Sequence, residues 1–313
     1  MSSISKNYTG ARFKNKVPSF DTPTKLPQDE SQRATWQNAN KAWWEANPMR
    51  YDWREEIRFL PGTREYFEEI DNRFLSSVHT YLPWRKLPFE QLIPFATLAQ
   101  LDVLEIGVGQ GTHAQLIAPR CRSFTGIDLT ESASRSTRMH LELLGITATI
   151  EQMDAEAMTF PDAAFDYIWS WGVIHHSANT RRVLSEMQRV LRPGGRATVM
   201  VYHRNWWNYY VAALLRGIAQ GKLRWLGNRH SLAQEGTDGA IARFYRAREW
   251  EDIVLDLFKV EKISVYGLKG EILPLPGGRL KSALERLLPD SFGRFMTSRL
   301  RMGGFLVAEM VRL

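Results

Sequence analysis

Hydrophobic and polar positions divide this chain near residue 101. Upstream, in TREYFEEIDNRFLSSVHTYL (63–82), apolar side chains at 67, 70, 74, 75 and 78 keep a helical period. Another helix is predicted around Trp36, Trp43 and Trp44, ended by Pro48. Downstream, short apolar runs alternate with helical patterns. The runs predict strands over 102–106, 123–128, 148–152, 165–171 and 196–202, with helices over 112–118, 132–144 and 179–190. Gly145 stops one helix, and Pro193-Gly194-Gly195 marks a turn after another. Residues 203–245 interrupt the rhythm, which resumes with a helix near 249–258 and a strand near 260–266. A second interruption, 268–302, precedes a last strand over 304–311. Such alternation predicts an α/β fold, a parallel sheet with helices on both faces.

The same pattern divides the chain. Residues 1–35, polar and with Pro18, Pro23 and Pro27, read as a loose arm. Residues 36–100 form a helical N-terminal extension or cap, and 101–202 the nucleotide-binding core. Residues 203–245 are a helical lid insertion. Residues 246–313 complete the sheet and carry a basic helical insertion at 268–302.

Composition narrows the function classes. No apolar run in the 313 residues approaches the roughly 20 needed to cross a bilayer. MSSISKNYTGARFKNK holds no apolar stretch of the secretion-signal kind, so a cytoplasmic location is expected. The single cysteine, Cys121, excludes an internal disulfide framework and a cysteine-built metal site, and no metal is expected. The net charge of +7 is unevenly placed: residues 101–201 carry 9 Lys/Arg against 11 Asp/Glu, 203–230 carry 5 against none, and 268–313 carry 8 against 4. Two later segments are therefore basic. They suit an anionic substrate or membrane surface, or are solvated surface charge.

The chemistry concentrates in VLEIGVGQGT (103–112). A glycine-rich turn between strand and helix lets backbone approach a ligand closely. The dinucleotide fingerprint needs a third glycine where this chain has Thr112, and no Gly-Lys-Ser/Thr follows. The spacing is Glu105-x-Gly107-x-Gly109-x-Gly111. A carboxylate just before the loop repels a pyrophosphate and suits a cationic group. The stretch resembles the first motif of class I S-adenosylmethionine-dependent methyltransferases. GIDLT ends the second strand, MDAEAM follows the third, SWGVIHHSANT the fourth, and RVLRPGGRATVMVYH forms the fifth. In this order they resemble methyltransferases of the ubiquinone/menaquinone-biosynthesis type, closely over 101–202 and loosely over 243–266 and 304–311.

The resemblance implies a Rossmann-like sheet of seven strands, mostly parallel with the last antiparallel. It implies S-adenosylmethionine as methyl donor and S-adenosylhomocysteine as product. The loop, with Gly107, Gly109, Gly111 and Thr112, would wrap the donor's amino acid part, and Glu105 would orient its amino group. Asp128, beside Leu129, would accept from the ribose hydroxyls. Asp154 would take the adenine amino group, with the Ala155 backbone beside it. Trp171, at the end of the fourth strand, completes the expected donor site. Asp166, at a strand start, reads as structural.

Methyl transfer needs alignment and exclusion of water rather than a covalent enzyme nucleophile. His175, His176 and His203 follow the fourth and fifth strands, where a base would stand; each could equally orient a loop. An acceptor wall is expected from Trp43, Trp44 and Tyr51 on one side and Tyr202, Trp206, Trp207 and Tyr210 on the other, or these pack the lid. The fourth strand lacks the Asn/Asp-Pro-Pro-aromatic motif of enzymes that methylate nucleic-acid bases, and no RNA-binding module is present, so a small-molecule acceptor is expected and a nucleic acid is not. A quinone, polyketide or other secondary metabolite ranks first, then a lipid or isoprenoid, then a glycan sugar, with O- and C-methylation both open. The rivals are an NAD(P)-dependent oxidoreductase and a SAM-binding protein without catalysis. RLKSALERLLPDSFGRFMTSRLRM (279–302) is amphipathic and basic, and is either a surface helix pair or a contact for a membrane or anionic tail.

Overall fold

The computed structural model describes residues 17, 20–52, 55–219, 221, 229–275 and 278–313. Two helices come first, α1 (Glu30–Ala46) and α2 (Arg64–Tyr81). Each is opened by a side-chain oxygen that accepts a backbone N–H left unpaired at a helix start: Asp29 from Gln32 and Thr63 from Tyr66. The alternating region holds β1 (Asp102–Ile106), the short α3 (Ala114–Ile117), β2 (Ser123–Asp128), α4 (Glu131–Leu143), β3 (Thr149–Gln152), β4 (Phe165–Trp171), α5 (Thr180–Val190) and β5 (Leu191–His203). A π-helical stretch, Trp206–Ala212, then runs into α6 (Ala213–Ala219), followed by α7 (Arg229–Glu235) and the two-residue β6 (Phe244–Tyr245). The chain closes with α8 (Ala247–Val254), β7 (Phe258–Tyr266), a 3₁₀ turn (Lys269–Ile272), α9 (Arg279–Leu287), α10 (Asp290–Arg294), a π-helical turn (Phe295–Arg299) and β8 (Phe305–Arg312).

The strands lie in the order β3-β2-β1-β4-β5-β8-β7, and β6 pairs with the end of β5. β1 to β5 are parallel to their neighbours, while β8 runs antiparallel between β5 and β7. This is the expected Rossmann-like sheet, mostly parallel with an antiparallel last strand. Successive side chains leave opposite faces of a strand, and β1 and β4 show the consequence. Leu104, Ile106 and Ile168 join a core with Val183, Leu184, Met187 and Val190 of α5 and Trp250 of α8. Val103, Tyr167 and Trp169 join the other core, with Phe74, Val78 and Tyr81 of α2 and Leu141 of α4. The four α5 side chains are at most 1% exposed, each worth roughly 1.5–3 kcal/mol of burial.

Three expectations need correction. The predicted loose arm is anchored in part: Val17 and Phe20 are buried with Trp36 and Trp43, and α1 already begins at Glu30, while residues 21–35 stay exposed or half-buried. Burial against α1 supplies the apolar contact that the polar composition hid. Pro193-Gly194-Gly195 is a bulge inside β5 rather than a turn before it. Phe165 pairs with Leu191 and Tyr167 with Arg196, so the intervening residues loop out, with Gly194 at φ +74°. The extension after α2 is a run of turns, closed by a 3₁₀ turn at Leu98–Gln100, rather than α-helix up to β1.

At the amino ends of the strands Asp166 is structural. It accepts from Asp102 N at 2.8 Å and pairs with Arg122 and Arg192 at 3.0 and 2.6 Å. The carboxyl ends carry the loops that follow.

Candidate active site

The loops after β1, β2, β3, β4 and β5 meet in one cleft of about 1060 Å³, roofed by α1, α2 and the 206–212 and 268–285 insertions. Open α/β sheets place ligands at this edge because the loops there diverge and leave a crevice.

The three glycines after β1 all have positive φ, +82°, +55° and +86°, and each has a separate reason to be glycine. A Cβ on Gly107 would lie 2.2 Å from Val173 Cγ2, so the loop after β4 forbids one. A Cβ on Gly109 meets nothing within 4 Å and would project into open space at the cleft wall. A Cβ on Gly111 would crowd His140 and Thr137, at 3.2 and 3.3 Å.

Asp128, at the end of β2, is held on both oxygens. Oδ1 accepts from Thr130 N and Oγ1 at 3.0 and 2.8 Å, and Oδ2 accepts from Gly109 N at 3.2 Å. Burial pushes its pKa up against these bonds. Asp154, after β3, accepts on Oδ1 from Glu156 N at 2.9 Å and from Gln37 Nε2 at 2.8 Å. Glu105 is 1% exposed, and burial pushes its pKa well above the usual range, with Asp128 adding to the rise. Its Oε2 has no hydrogen-bond partner, and its Oε1 lies 3.6 Å from His113 Nδ1. Burial drives the His113 imidazole down to about 3, so Glu105 meets a neutral ring there near pH 7.

Gly107, Gly109, Thr112, Asp128, Leu129, Asp154, Ala155 and Trp171 all line the cleft. Glu105 and Gly111 do not. Glu105 sits one residue inside the wall made by Ile106 and Gly107, and Gly111 faces α4. His176 and His203 line the cleft; His175 does not. His175 is fully buried, its ring 4.0 Å from that of Tyr202, with neither nitrogen hydrogen-bonded. The two rings touch, centroids 4.1 Å apart, with His176 at the cleft and His175 behind it. Burial, then His176 and Arg243, lower the His175 pKa well below the usual range. His203 Nδ1 donates to Gly303 O at 2.9 Å, which leaves Nε2 as the acceptor nitrogen; burial lowers this pKa too.

The expected acceptor wall is half present. Trp44, Tyr51 and Tyr202 line the cleft. Trp43 instead packs with Trp36 and Phe20 in a separate core. Trp206 is 58% exposed, Trp207 Nε1 donates to Glu271 O, and the Tyr210 hydroxyl accepts from Arg246. Their neighbours Asn208 and Tyr209 turn inward in their place, because the wider π-helical turn shifts which positions share a face.

Residues 104–199 match the family model described as a methyltransferase domain. Over that stretch the chain is similar to methyltransferases. It is 36% identical over 100 residues to a phosphatidylethanolamine N-methyltransferase of Cereibacter sphaeroides, covering 31% of this chain and 49% of that protein. It is 25% identical over 158 residues to a ubiquinone biosynthesis O-methyltransferase of Ralstonia nicotianae, covering 49% and 66%. The chain thus spans about half to two thirds of the length of these relatives. A solved S-adenosylmethionine-dependent methyltransferase of Aquifex aeolicus superposes with a TM-score of 0.48 at 13% identity, over 82% of this chain and 100% of that one.

The cofactor of the methyltransferase domain is S-adenosylmethionine, and the cleft fits it. The open space over Gly109 admits a ligand against backbone, and Asp128 and Asp154 line the same cleft, while the unpartnered Glu105 Oε2 is buried behind the loop. Among the described residues no cluster of His, Cys, Asp and Glu could hold a metal ion, and no helix is long and apolar enough to cross a membrane.

Several residues that shape the domain's cleft escaped the sequence reading. Asp71 of α2 accepts from Thr112 Oγ1 at 2.6 Å and from Gln115 Nε2, with His140 Nε2 at 3.4 Å, so it clamps α2 onto the glycine loop. Burial pushes the Asp71 pKa up. Arg243, fully buried, donates to Lys25 O, Ser177 O and Ala178 O. Buried Glu156 accepts from Asn179 N at 2.7 Å and Arg33 Nη1 at 2.9 Å. The pair brackets the loop after β4 from both sides. These partners lie 23 to 218 positions apart in sequence. A buried arginine in an otherwise apolar stretch, GAIARFY (239–245), was the one available signal.

Proposed function

We propose that the protein transfers a methyl group from S-adenosylmethionine to a small-molecule acceptor bound between the sheet edge and the helical additions. In this reading residues 101–202 hold the donor, while 36–100, 203–245 and 268–302 build the acceptor side. The observation that supports it best is the convergence of Gly109, Asp128 and Asp154, each at the end of a different strand, on one cleft. Its volume, about 1060 Å³, is at the upper end of small-molecule sites and holds a donor and an acceptor together.

Bound S-adenosylmethionine supplies a methyl group activated by a sulfonium. The chain's task is to place it and to keep water out. Gly107 and Gly109 present backbone to the donor's amino acid part, and Glu105 stands buried behind that loop. Asp128, prevented from turning by Thr130 and Gly109, accepts from the ribose hydroxyls. Asp154, oriented by Gln37, accepts from the adenine amino group. On the acceptor side stand Trp44, Tyr51, Tyr202, His176 and His203. His203 is oriented by Gly303 so that Nε2 receives the proton of the acceptor, and its lowered pKa keeps that nitrogen unprotonated at neutral pH. His175 has no route to the cleft and acts only as packing beneath Tyr202.

Quinone or polyketide acceptors suit the aromatic lining, and the relatives named for ubiquinone biosynthesis support that rank. The deciding experiment is calorimetry with S-adenosylmethionine and with NADPH. Binding of the former, weakened about tenfold to a hundredfold in Asp128→Ala, is expected. NADPH binding without S-adenosylmethionine binding would make the oxidoreductase reading correct instead. Release of labelled methyl to an extract of small metabolites separates the enzyme from a mere binding protein.

A further inference from the structure

Helix α9 and the turns after it expose what a folded surface ordinarily hides. Among the described residues fifteen large apolar side chains are exposed, and five of them fall within residues 279–301. Leu280 and Leu287 are 67% and 78% exposed; Phe292, Phe295 and Leu300 are 45%, 52% and 47% exposed. No residue of α9 is buried. Leu280, Leu284 and Leu287 follow the i, i+4, i+7 spacing of one helix face, so the leucines form a stripe. Lys281 and Glu285, four apart on another face, line the cleft. α9 is therefore a wall with the cleft on one side and an uncovered leucine stripe elsewhere on its surface.

The charge around the stripe selects its occupant. Residues 279–301 hold six Lys/Arg (279, 281, 286, 294, 299, 301) against two Asp/Glu (285, 290). Arg279, Arg286, Arg299 and Arg301 are exposed and make no ion pair among the described residues. Lys269, ahead of this segment, holds Asp290 at 2.7 Å and Leu288 O at 3.0 Å, which fixes the α9–α10 corner to the cleft rim. Leucine and phenylalanine interleaved with unpaired arginine match the acyl boundary and phosphate layer of an anionic bilayer. A protein partner's apolar patch leaves the four arginines without counter-charge.

We propose that the face formed by α9, α10 and the Phe295–Arg299 turn docks on an anionic lipid surface, setting this wall of the cleft against the membrane. The proposal goes beyond the methyl-transfer reading and does not depend on it.

The test is sedimentation of the full chain with vesicles of phosphatidylcholine alone or mixed with phosphatidylglycerol. S-adenosylmethionine affinity is read on the same preparations without vesicles. Binding to the mixed vesicles is expected, with little to phosphatidylcholine. The double variants Leu280→Ser/Leu287→Ser and Arg279→Gln/Arg286→Gln should each weaken it about tenfold, with S-adenosylmethionine affinity unchanged. No sedimentation with mixed vesicles, equal binding to both compositions, or binding that both variants leave intact overturns the proposal. So does a dimer in light scattering that Leu280→Ser/Leu287→Ser dissociates, since a second copy then covers the face. Vesicle binding without S-adenosylmethionine binding sinks the methyltransferase reading alone, and the reverse result sinks the docking alone.

Discussion

Gln37 donates its Nε2 hydrogen to Asp154 Oδ1 across 2.8 Å, and its Oε1 accepts from Ala178 N at 3.0 Å. One buried amide in α1 thus ties the loop after β3 to the loop after β4. The N-terminal helix is part of the cleft's construction rather than an appendage.

Replacing Gln37 with Leu removes both bonds and leaves the Ala178 N–H buried without a partner. A loss of about 1–3 kcal/mol is expected from urea unfolding, together with weaker S-adenosylmethionine binding by calorimetry. Unchanged stability would show that α1 does not hold these loops.

The glycine loop predicts a contrast. Gly107→Ala meets Val173 at 2.2 Å in addition to a φ of +82°, so a loss of about 2 kcal/mol or more is expected. Val173→Ala in the same chain should recover only part of the steric loss, because its Cβ would still lie 2.9 Å from the new methyl group. Gly109→Ala meets nothing, so its stability should fall by only about 1 kcal/mol, while its methyl group blocks the donor. Thermal melts and donor affinity should therefore separate the two glycines. Equal effects on both readouts would refute the assignment.

Buried histidines make the fold sensitive to acid. His113 has an ordinary value of 6.5 and a folded value of about 3. Between those values the unfolded chain holds the extra proton. The stability due to neutral His113 is thus complete above pH 6.5 and is lost as pH falls toward 3, by about 1.4 kcal/mol per unit. In His113→Phe, which keeps a ring beside Phe74 and Phe89, this loss is absent. Relative to the parent, the variant should gain about 2 kcal/mol on going from pH 6.5 to roughly pH 5. Parallel pH profiles would contradict the burial argument.

His203 and His175 should behave differently in turnover. His203→Gln is expected to lower kcat about a hundredfold or more with donor affinity retained. His175→Phe should lower stability and leave the pH profile of turnover unchanged. The reverse pattern, measured with labelled methyl, would exchange their roles.

Much of this was legible in the linear chain, and for a definite reason. Strand and helix periods are local, so β1, β2 and β4 are found at 102–106, 123–128 and 165–171 as expected. Loop motifs at strand ends are local too: Gly107, Gly109, Asp128 and Asp154 needed only their order and spacing to be picked out. Lid aromatics are another matter. Trp206, Trp207 and Tyr210 carry the same composition signal as Tyr209, yet only Tyr209 faces the cleft, because a π-helical turn changed the face.

The sequence by itself determined the sheet, the glycine loop and the acidic residues at the ends of three consecutive strands, because each is written in neighbouring residues. Tertiary structure alone decided that Gln37, Asp71 and Arg243 belong to the cleft's support. It also decided that His175 lies under it and that the leucine stripe of α9 is left uncovered. Those outcomes depend on burial and on partners far away in the chain, and neither has a period or a motif to announce it.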